Sequence, residues 1–161
     1  MPAARTLSEW LTYQQELHPS SIDLGLERVS AVARRLELLP PAGRTVIIGG
    51  TNGKGSTATL LAGLGQAHGQ RVGLFTSPHL LRYQERIAID GVEAGDAELV
   101  AAFERIEAAR DGVSLTYFEF NTLAALVLFR SAKVELTILE VGLGGRLDAT
   151  NVVDADVAVL C

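Results

Sequence analysis

A glycine-rich segment between a strand-like run and a helical pattern constrains the fold more than any other feature of this chain. Thr45–Ile48 is β-branched, Gly49–Ser56 is rich in glycine, and Ser56–His68 repeats apolar residues at the helical period. Glycines in such a turn let successive backbone N–H groups face inward, and the start of the following helix adds about half a positive charge. The segment therefore predicts a phosphate site, with the Lys54 ammonium beside the β- and γ-phosphates.

The match to the strict phosphate-loop pattern is incomplete. Ile48 stands where that pattern has glycine, and Gly55 follows the lysine where the pattern has serine or threonine. The alternative is a glycine-rich turn in which Lys54 is simply solvated. The strand before the segment and the helix after it favour phosphate binding. Ser56 or Thr57 would then place a hydroxyl at the rim, near a metal ion.

Strand and helix patterns alternate along most of the chain. The predicted helices are Leu7–Leu17, one with apolar positions from Leu26 to Leu36, Ser56–His68, one capped by Asp96, and Phe118–Ser131. The predicted strands are Thr45–Ile48, Arg71–Thr76, Arg86–Asp90, Val134–Val141 and a buried strand from Val157 onward. Asp90-Gly91 predicts a hairpin. This alternation predicts an α/β fold, a mostly parallel sheet flanked by helices with short added hairpins.

Composition excludes several classes of protein. The 161 residues fit one compact domain, and 48% hydrophobic with 20% charged residues is globular composition. A formal charge of −5 argues against general nucleic-acid binding, and a single cysteine suits a reducing cytosol. The longest apolar stretch, Leu123–Phe129, is far shorter than the ~20 residues that span a bilayer, and the N-terminus has no apolar signal-peptide core. We expect a cytoplasmic protein with no nucleic-acid or membrane partner.

Two oxygen-bearing side chains are expected at the carboxyl edge of the sheet. Glu140 ends an apolar strand, and Ser77 lies just beyond another. Ligands collect at that edge of an open parallel sheet, and Mg²⁺ takes carboxylate, hydroxyl, phosphate and water oxygens. The alternatives are a helix cap or solvated strand end for Glu140, and Ser-Pro turn chemistry for Ser77.

Other polar positions have simpler interpretations. The glycines of Gly142–Asp148 indicate either a tight turn or a close ligand approach, which makes Asp148 a candidate polar contact. We interpret His79 as a turn or packing residue. We interpret Glu85 as a partner in surface ion pairs with the arginines on either side of it.

Taken together, several segments resemble one family. They are SIDLGLERV (Ser21–Val29), GTNGKGS (Gly50–Ser56), TSPHL (Thr76–Leu80), ERIAIDG (Glu85–Gly91), LTYFEFNTLAAL (Leu115–Leu126) and LEVGLGGRLDATNVVDADVAV (Leu139–Val159). In this order they resemble the amino-terminal ATPase domain of the dihydrofolate synthase/folylpolyglutamate synthase family, which is part of the Mur ligase superfamily. The resemblance implies the phosphate-loop NTPase-like fold of the central domain of Mur ligases. The GTNGKGS segment is shared across that superfamily, whereas the combination with the first and last segments is specific to the folate branch.

The resemblance implies an ATP-dependent ligase that joins L-glutamate to dihydropteroate and to folates through an acyl phosphate. The implied ATP-binding positions are Thr51, Asn52, Gly53, Lys54, Gly55 and Ser56, with Lys54 also catalytic. The implied magnesium ligands are Ser77 and Glu140, and Glu140 is implied as catalytic together with Lys54. The implied pterin pocket has Ser21, Ile22, Asp23 and Leu24 on one side and Thr116, Leu147, Asp148 and Ala149 on the other.

The resemblance also implies that residues 1–161 are an incomplete amino-terminal ATP-binding domain. The family's third magnesium ligand, a histidine, and its glutamate-binding domain would lie beyond Cys161. We therefore expect a monomeric parent enzyme to carry the activity and this chain to be inactive alone. Two alternatives stay open: another phosphate-loop enzyme, such as a small kinase, and a non-catalytic module that binds nucleotide or pterin.

Overall fold

Six strands form a single mixed sheet in the computed structural model, which describes residues 5–161. The strands are β1 (Arg44–Gly49), β2 (Val72–Phe75), β3 (Ile87–Ile89), β4 (Val92–Glu93), β5 (Leu136–Glu140) and β6 (Val157–Leu160). Their order in the sheet is β4-β3-β2-β5-β1-β6. The pairs β2–β5, β5–β1 and β1–β6 are parallel, whereas β3 and β4 are antiparallel additions. The predicted α/β fold and the Asp90-Gly91 hairpin are confirmed.

Five α-helices and three short 3₁₀ segments complete the described fold. The helices are α1 (Leu7–Glu16), α2 (Glu27–Arg35), α3 (Lys54–Ala67), α4 (Asp96–Arg110) and α5 (Tyr117–Ala132). The 3₁₀ segments are Tyr83–Arg86, Gly145–Leu147 and Ala149–Val152. The last two lie in the Gly142–Asp148 region and just after it, so this glycine-rich stretch is a structured turn.

The sheet lies between two layers of helix. Ile48 and Ile138 face α3, whereas Ile47 and Leu139 face the layer that contains α1, α2, α4 and α5. Successive residues of a strand point to opposite faces, so a strand covered on both sides must be apolar throughout. This explains the apolar runs Val46–Ile48 in β1 and Ile138–Leu139 in β5.

Capping boxes start two of the helices. Thr116 accepts a hydrogen bond from the N–H of Glu119, whose carboxylate accepts from the N–H of Thr116, and Thr6 and Glu9 do the same at α1. Each box satisfies backbone donors that have no partner inside the helix. Thr116 therefore has a structural task as well as a place in the predicted pocket.

The prediction that Asp96 caps α4 is wrong. Gly95 occupies the cap position, and its N–H donates to the Glu98 carboxylate at 2.9 Å. Asp96 is the first helical residue, and its Oδ1 accepts a 2.6 Å hydrogen bond from Nε2 of Gln84. The Glu98 carboxylate, in the first turn of α4, is therefore the side chain that accepts a hydrogen bond at the start of this helix.

The predicted final strand is present, but it is exposed in the described chain although its sequence is typical of a buried strand. Val157 is 52% exposed and Leu160 is 87% exposed. β6 is the edge strand beside β1, and it pairs with a neighbour on one side only. Its apolar sequence therefore does not indicate burial in the described chain.

Helix α5 is the most buried helix of the described chain. It contains the apolar stretch Leu123–Phe129, and every residue of that stretch is buried. Its apolar character comes from its position at the centre of the core. Within residues 5–161, no helix has the length and apolar character required to cross a membrane.

Candidate functional site

The glycine-rich segment forms the turn between β1 and α3. Gly53 has a φ of +80°, a left-handed conformation that glycine adopts without strain, and α3 begins at the next residue. The Lys54 ammonium donates to the carbonyl oxygen of Gly50 at 3.1 Å, across the turn. The N–H groups of the first helical turn have no acceptor within the helix. The arrangement is that of an anion site at a helix start.

Glu140 lies beside this turn, at the carboxyl end of β5. It pairs in register with Ile48 and is 5% exposed. A methyl group on Gly55 would lie 3.5 Å from its Oε1. The N–H of Ser77 donates to its Oε2 at 2.8 Å. The structure therefore brings the start of α3, Glu140 and Ser77 to one edge of the sheet.

The oxygen atoms at this edge are suited to a hard cation. Glu140 offers a buried carboxylate and Ser77 offers a hydroxyl. No group of three or more histidine, cysteine, aspartate or glutamate side chains forms a metal cage within the described range 5–161. Mg²⁺ typically takes one or two protein carboxylates and completes its shell with phosphate oxygens and water. The two side chains fit such a partial protein shell.

Two clefts open beside this edge of the sheet, and the first cleft is lined by all eight positions predicted for the pterin pocket. It has a volume of about 270 Å³, near the lower end of typical ligand sites at roughly 300 Å³. Its walls include Ser21, Ile22, Asp23, Leu24, Thr116, Leu147, Asp148 and Ala149. Ser77 lines the same cleft, which places one end of the cleft beside Glu140.

The second cleft lies over the β1–α3 turn. It has a volume of about 450 Å³, and its walls include Thr51 and Lys54. The other predicted ATP positions, Asn52, Gly53, Gly55 and Ser56, belong to the same turn but not to the lining of this cleft. Arg146 also lines it and adds a second cation to the wall.

The two clefts share one wall. Gly142 and Leu143 line both of them, directly after the strand that carries Glu140. A methyl group on Gly142 would lie 2.8 Å from the Phe118 ring, and one on Gly144 would lie 2.5 Å from Leu24. The glycines therefore allow this loop to pack closely against the first cleft while it borders the second.

Asp148 fixes the shape of that loop. It is 2% exposed, and its Oδ2 accepts from the N–H groups of Gly142 and Leu143 at 3.0 and 2.8 Å. Its Oδ1 accepts from the N–H and the hydroxyl of Thr150 at 3.0 and 2.6 Å. A hydrogen bond from a ligand ring to Asp148 stays a prediction, and it would compete with these four internal donors.

Asp23 is tied to the start of α5 through Arg28. The guanidinium of Arg28 donates to Oδ2 of Asp23 at 2.7 Å and lies 3.2 Å from Oε1 of Glu119. His18 reaches the same Asp23 oxygen at 3.1 Å. These contacts hold the Ser21–Leu24 wall in place. Sequence reasoning assigned no role to Arg28 or Glu119, although both stand within the segments that carry the family resemblance.

The interpretation of Glu85 as a surface ion-pair partner is wrong. Its carboxylate accepts from the backbone N–H groups of Leu80, Leu81 and Arg82 at 2.7–2.9 Å. These hydrogen bonds lower the pKa of the Glu85 carboxyl. The neighbouring Arg86 is buried and lines the first cleft. Alternating charge in the sequence indicated a solvated surface and gave no sign of either contact.

Proteins of known sequence and structure resemble this chain closely. No protein-family model matches it. The chain is 54% identical over 158 residues to the dihydrofolate synthase/folylpolyglutamate synthase of Escherichia coli strain K12. That match covers 98% of this chain and 37% of the relative, so the chain spans just over a third of the relative's length.

Solved structures agree with the sequence comparison. E. coli FolC in complex with DHPP and ADP superposes with a TM-score of 0.96 at 54% identity, over 98% of this chain and 38% of that one. A bifunctional folylpolyglutamate synthase/dihydrofolate synthase with Mn, AMPPNP and L-glutamate bound superposes with a TM-score of 0.92 at 55% identity, over the same shares of the two chains. The six-stranded sheet and its helices are thus those of the matched part of these structures.

Proposed function

Because the chain belongs to the dihydrofolate synthase/folylpolyglutamate synthase family, we propose that it forms the ATP-binding part of a ligase that joins L-glutamate to dihydropteroate and to folates. The shared wall of the two clefts is the observation that carries this proposal. An acid in the first cleft and a nucleotide in the second would meet at Gly142–Leu143, beside Glu140. Transfer of a phosphoryl group between two bound molecules requires such an arrangement.

The proposed reaction activates a carboxylate. A carboxylate is a poor acyl donor because its leaving group would be oxide. Its oxygen therefore attacks the γ-phosphorus of ATP, and the bond to ADP breaks. The amino nitrogen of L-glutamate then attacks the acyl carbon and loses a proton, and inorganic phosphate leaves as the amide forms.

The residues of this chain would position the reactants and neutralise charge. Lys54 and the N–H groups at the start of α3 would hold the outer phosphates of ATP. Glu140 and Ser77 would hold Mg²⁺, which supplies charge neutralisation to the phosphate oxygens when it is bound. The walls of the first cleft would bind the pterin ring and the attached benzoate. A relative with Mn, AMPPNP and L-glutamate bound supports this choice of reactants.

Calorimetric titration of the 161-residue chain tests the proposal. In the presence of Mg²⁺, AMPPNP and dihydropteroate should each bind one site, and neither should displace the other, because they occupy adjacent clefts. Mutual displacement, or no binding of dihydropteroate, would contradict the proposal.

The alternatives give different outcomes in turnover assays. ADP release that requires both dihydropteroate and L-glutamate supports the ligase, whereas release with neither supports a kinase-like enzyme. Binding of both ligands without turnover fits a chain that contributes only part of the active site. The cytoplasmic location, the monomeric parent enzyme and the domain boundaries stay predictions.

A further inference from the structure

Arg86 is a buried cation on the wall of the first cleft. It is 8% exposed and lines the cleft beside Ser77 and Pro78. Its Nε donates to Nδ1 of His79 at 2.8 Å. No carboxylate within residues 5–161 lies within ion-pair distance of its guanidinium. Buried arginines are almost always paired, because a charge removed from water is costly without a partner.

The carboxylates that line the same cleft are engaged elsewhere. Asp23 and Glu119 both bind Arg28, and Asp148 accepts four donors from its own loop. None of them is placed to neutralise Arg86.

Aromatic rings compensate the buried charge only in part. The guanidinium carbon of Arg86 lies 6.0 Å from the centre of the Tyr83 ring and 5.6 Å from that of Tyr117. Such contacts stabilise a cation that is removed from water, but they do not neutralise its charge. Burial raises the pKa of the Tyr117 hydroxyl, although the charge of Arg86 opposes that rise. The phenol is therefore neutral at ordinary pH and supplies no counter-charge.

Arg86 stands at the end of the cleft where the proposed chemistry takes place. Its carbonyl oxygen accepts from the N–H of Thr76 at 3.0 Å. Ser77, which follows Thr76 in the chain, donates its backbone N–H to the carboxylate of Glu140. Arg86 and Ser77 line the same cleft from neighbouring backbone segments, so an anion on the Arg86 guanidinium would lie in the cleft that the proposed magnesium ligand Ser77 also lines.

We propose that Arg86 binds the carboxylate of the acid substrate and holds it at the end of the first cleft that meets Glu140. This inference rests on the proposed function, because it names the group that recognises the reacting carboxylate. A guanidinium has five N–H donors in a planar fork. His79 takes the donor on Nε and so fixes the plane, which leaves the two terminal nitrogens for a bidentate pair with a carboxylate.

A comparison of two ligands on the 161-residue chain tests the inference. Dihydropteroate carries the carboxylate, whereas its primary carboxamide has nearly the same shape without the charge. The unaltered chain should bind the acid about 10- to 100-fold more tightly than the amide. Arg86→Gln should abolish this preference and leave the affinity for the amide unchanged. Arg86→Lys should restore only part of it, because an ammonium lacks the fork.

Arg44→Gln is the matched control. Arg44 is exposed at the start of β1, at the amino ends of the parallel strands and away from the two clefts. The preference for the acid should therefore be unaffected. The affinity for the amide reports whether each variant is folded, and Arg86→Lys decides the question if Arg86→Gln does not fold. Equal affinity of the unaltered chain for acid and amide overturns the inference. So does a preference of undiminished size in folded Arg86→Gln or in folded Arg86→Lys. Failure of the unaltered chain to bind either compound would count against the proposed function itself.

Discussion

The backbone N–H of Ser77 donates a 2.8 Å hydrogen bond to Oε2 of Glu140, which links the end of β2 to the end of β5. This contact places two hard oxygen donors from different strands side by side. The carboxylate is buried at 5% exposure, and its contact with the N–H needs only an acceptor oxygen.

Glu140→Gln should therefore keep the fold and weaken the metal requirement of nucleotide binding. An amide oxygen can still accept from Ser77, but it lacks the negative charge that attracts Mg²⁺. The gain in AMPPNP affinity that Mg²⁺ produces should be at least about tenfold smaller in Glu140→Gln than in the unaltered chain. Titration over a range of Mg²⁺ concentrations measures it. Glu135→Gln is the control, because Glu135 lies just before the start of β5, at the amino ends of the parallel strands. An unchanged metal dependence in Glu140→Gln would remove the metal assignment.

Lys54→Ala should weaken AMPPNP binding about 10- to 100-fold, because a charge-assisted contact to phosphate is lost. Its ammonium touches only the carbonyl of Gly50 within the described chain, so the thermal unfolding temperature should change little. Lys133→Ala, at the exposed end of α5, should leave nucleotide affinity unaltered. Equal affinities in the two variants would exclude the phosphate role of Lys54.

Asp148→Asn should destabilise the chain by about 2–3 kcal/mol, because the amide replaces a charged acceptor with an N–H₂ group that faces backbone donors. Urea unfolding would measure the loss. Asp154→Asn, at an exposed position a few residues later, should cost far less. A loss of dihydropteroate affinity without a loss of stability would instead assign Asp148 to the ligand.

Gly144→Ala should lower dihydropteroate affinity, because its methyl group would lie 2.5 Å from Cδ1 of Leu24 and displace that wall. Gly145→Ala is the matched control: its φ of +60° is also left-handed, but nothing lies within 4 Å of the added methyl group. Both variants should lose about 1–2 kcal/mol of stability from backbone strain. Only the first should affect the ligand, as followed by calorimetry.

Tyr13 on α1 is hydrogen-bonded to Glu107 and Arg110 on α4. This cluster should make the free energy of unfolding depend on pH at both low and high pH. Burial raises the pKa of the Glu107 carboxyl, but hydrogen bonds from Arg110 and Tyr13 outweigh it and leave the pKa below its usual 4.5. The stabilisation is thus present above pH 4.5 and is lost as the pH falls through the lowered value. Burial and the hydrogen bond to Glu107 raise the pKa of Tyr13 above 10.0, so its contribution is lost as the pH rises through the raised value.

Variants separate the two limbs of that pH profile. Glu107→Gln should flatten the acid limb of the urea unfolding free energy, and Tyr13→Phe should flatten part of the alkaline limb. Glu104→Gln, exposed on the same helix, should keep the acid slope of the unaltered chain. An acid slope that is the same in Glu107→Gln would show that this cluster does not set it.

Local sequence was sufficient for the elements that carry the candidate site. The strand, glycine turn and helix around Lys54 follow one another in the chain, and their residue types determine backbone shape without help from distant segments. The placement of Glu140 at the carboxyl edge followed from the same logic, since parallel strands end together. Family resemblance then grouped the Ser21–Leu24 and Leu147–Ala149 segments, which no local pattern could have joined.

Tertiary structure alone decided what those elements touch. Arg86 has the sequence context of a surface residue, yet packing of Tyr83 and Tyr117 buries it in the first cleft. Val157 has the sequence of a core residue, yet its strand is an edge. Burial and electrostatic partners depend on which segments pack together from far along the chain, so propensity and periodicity, which act over a few residues, determine the elements but not these contacts.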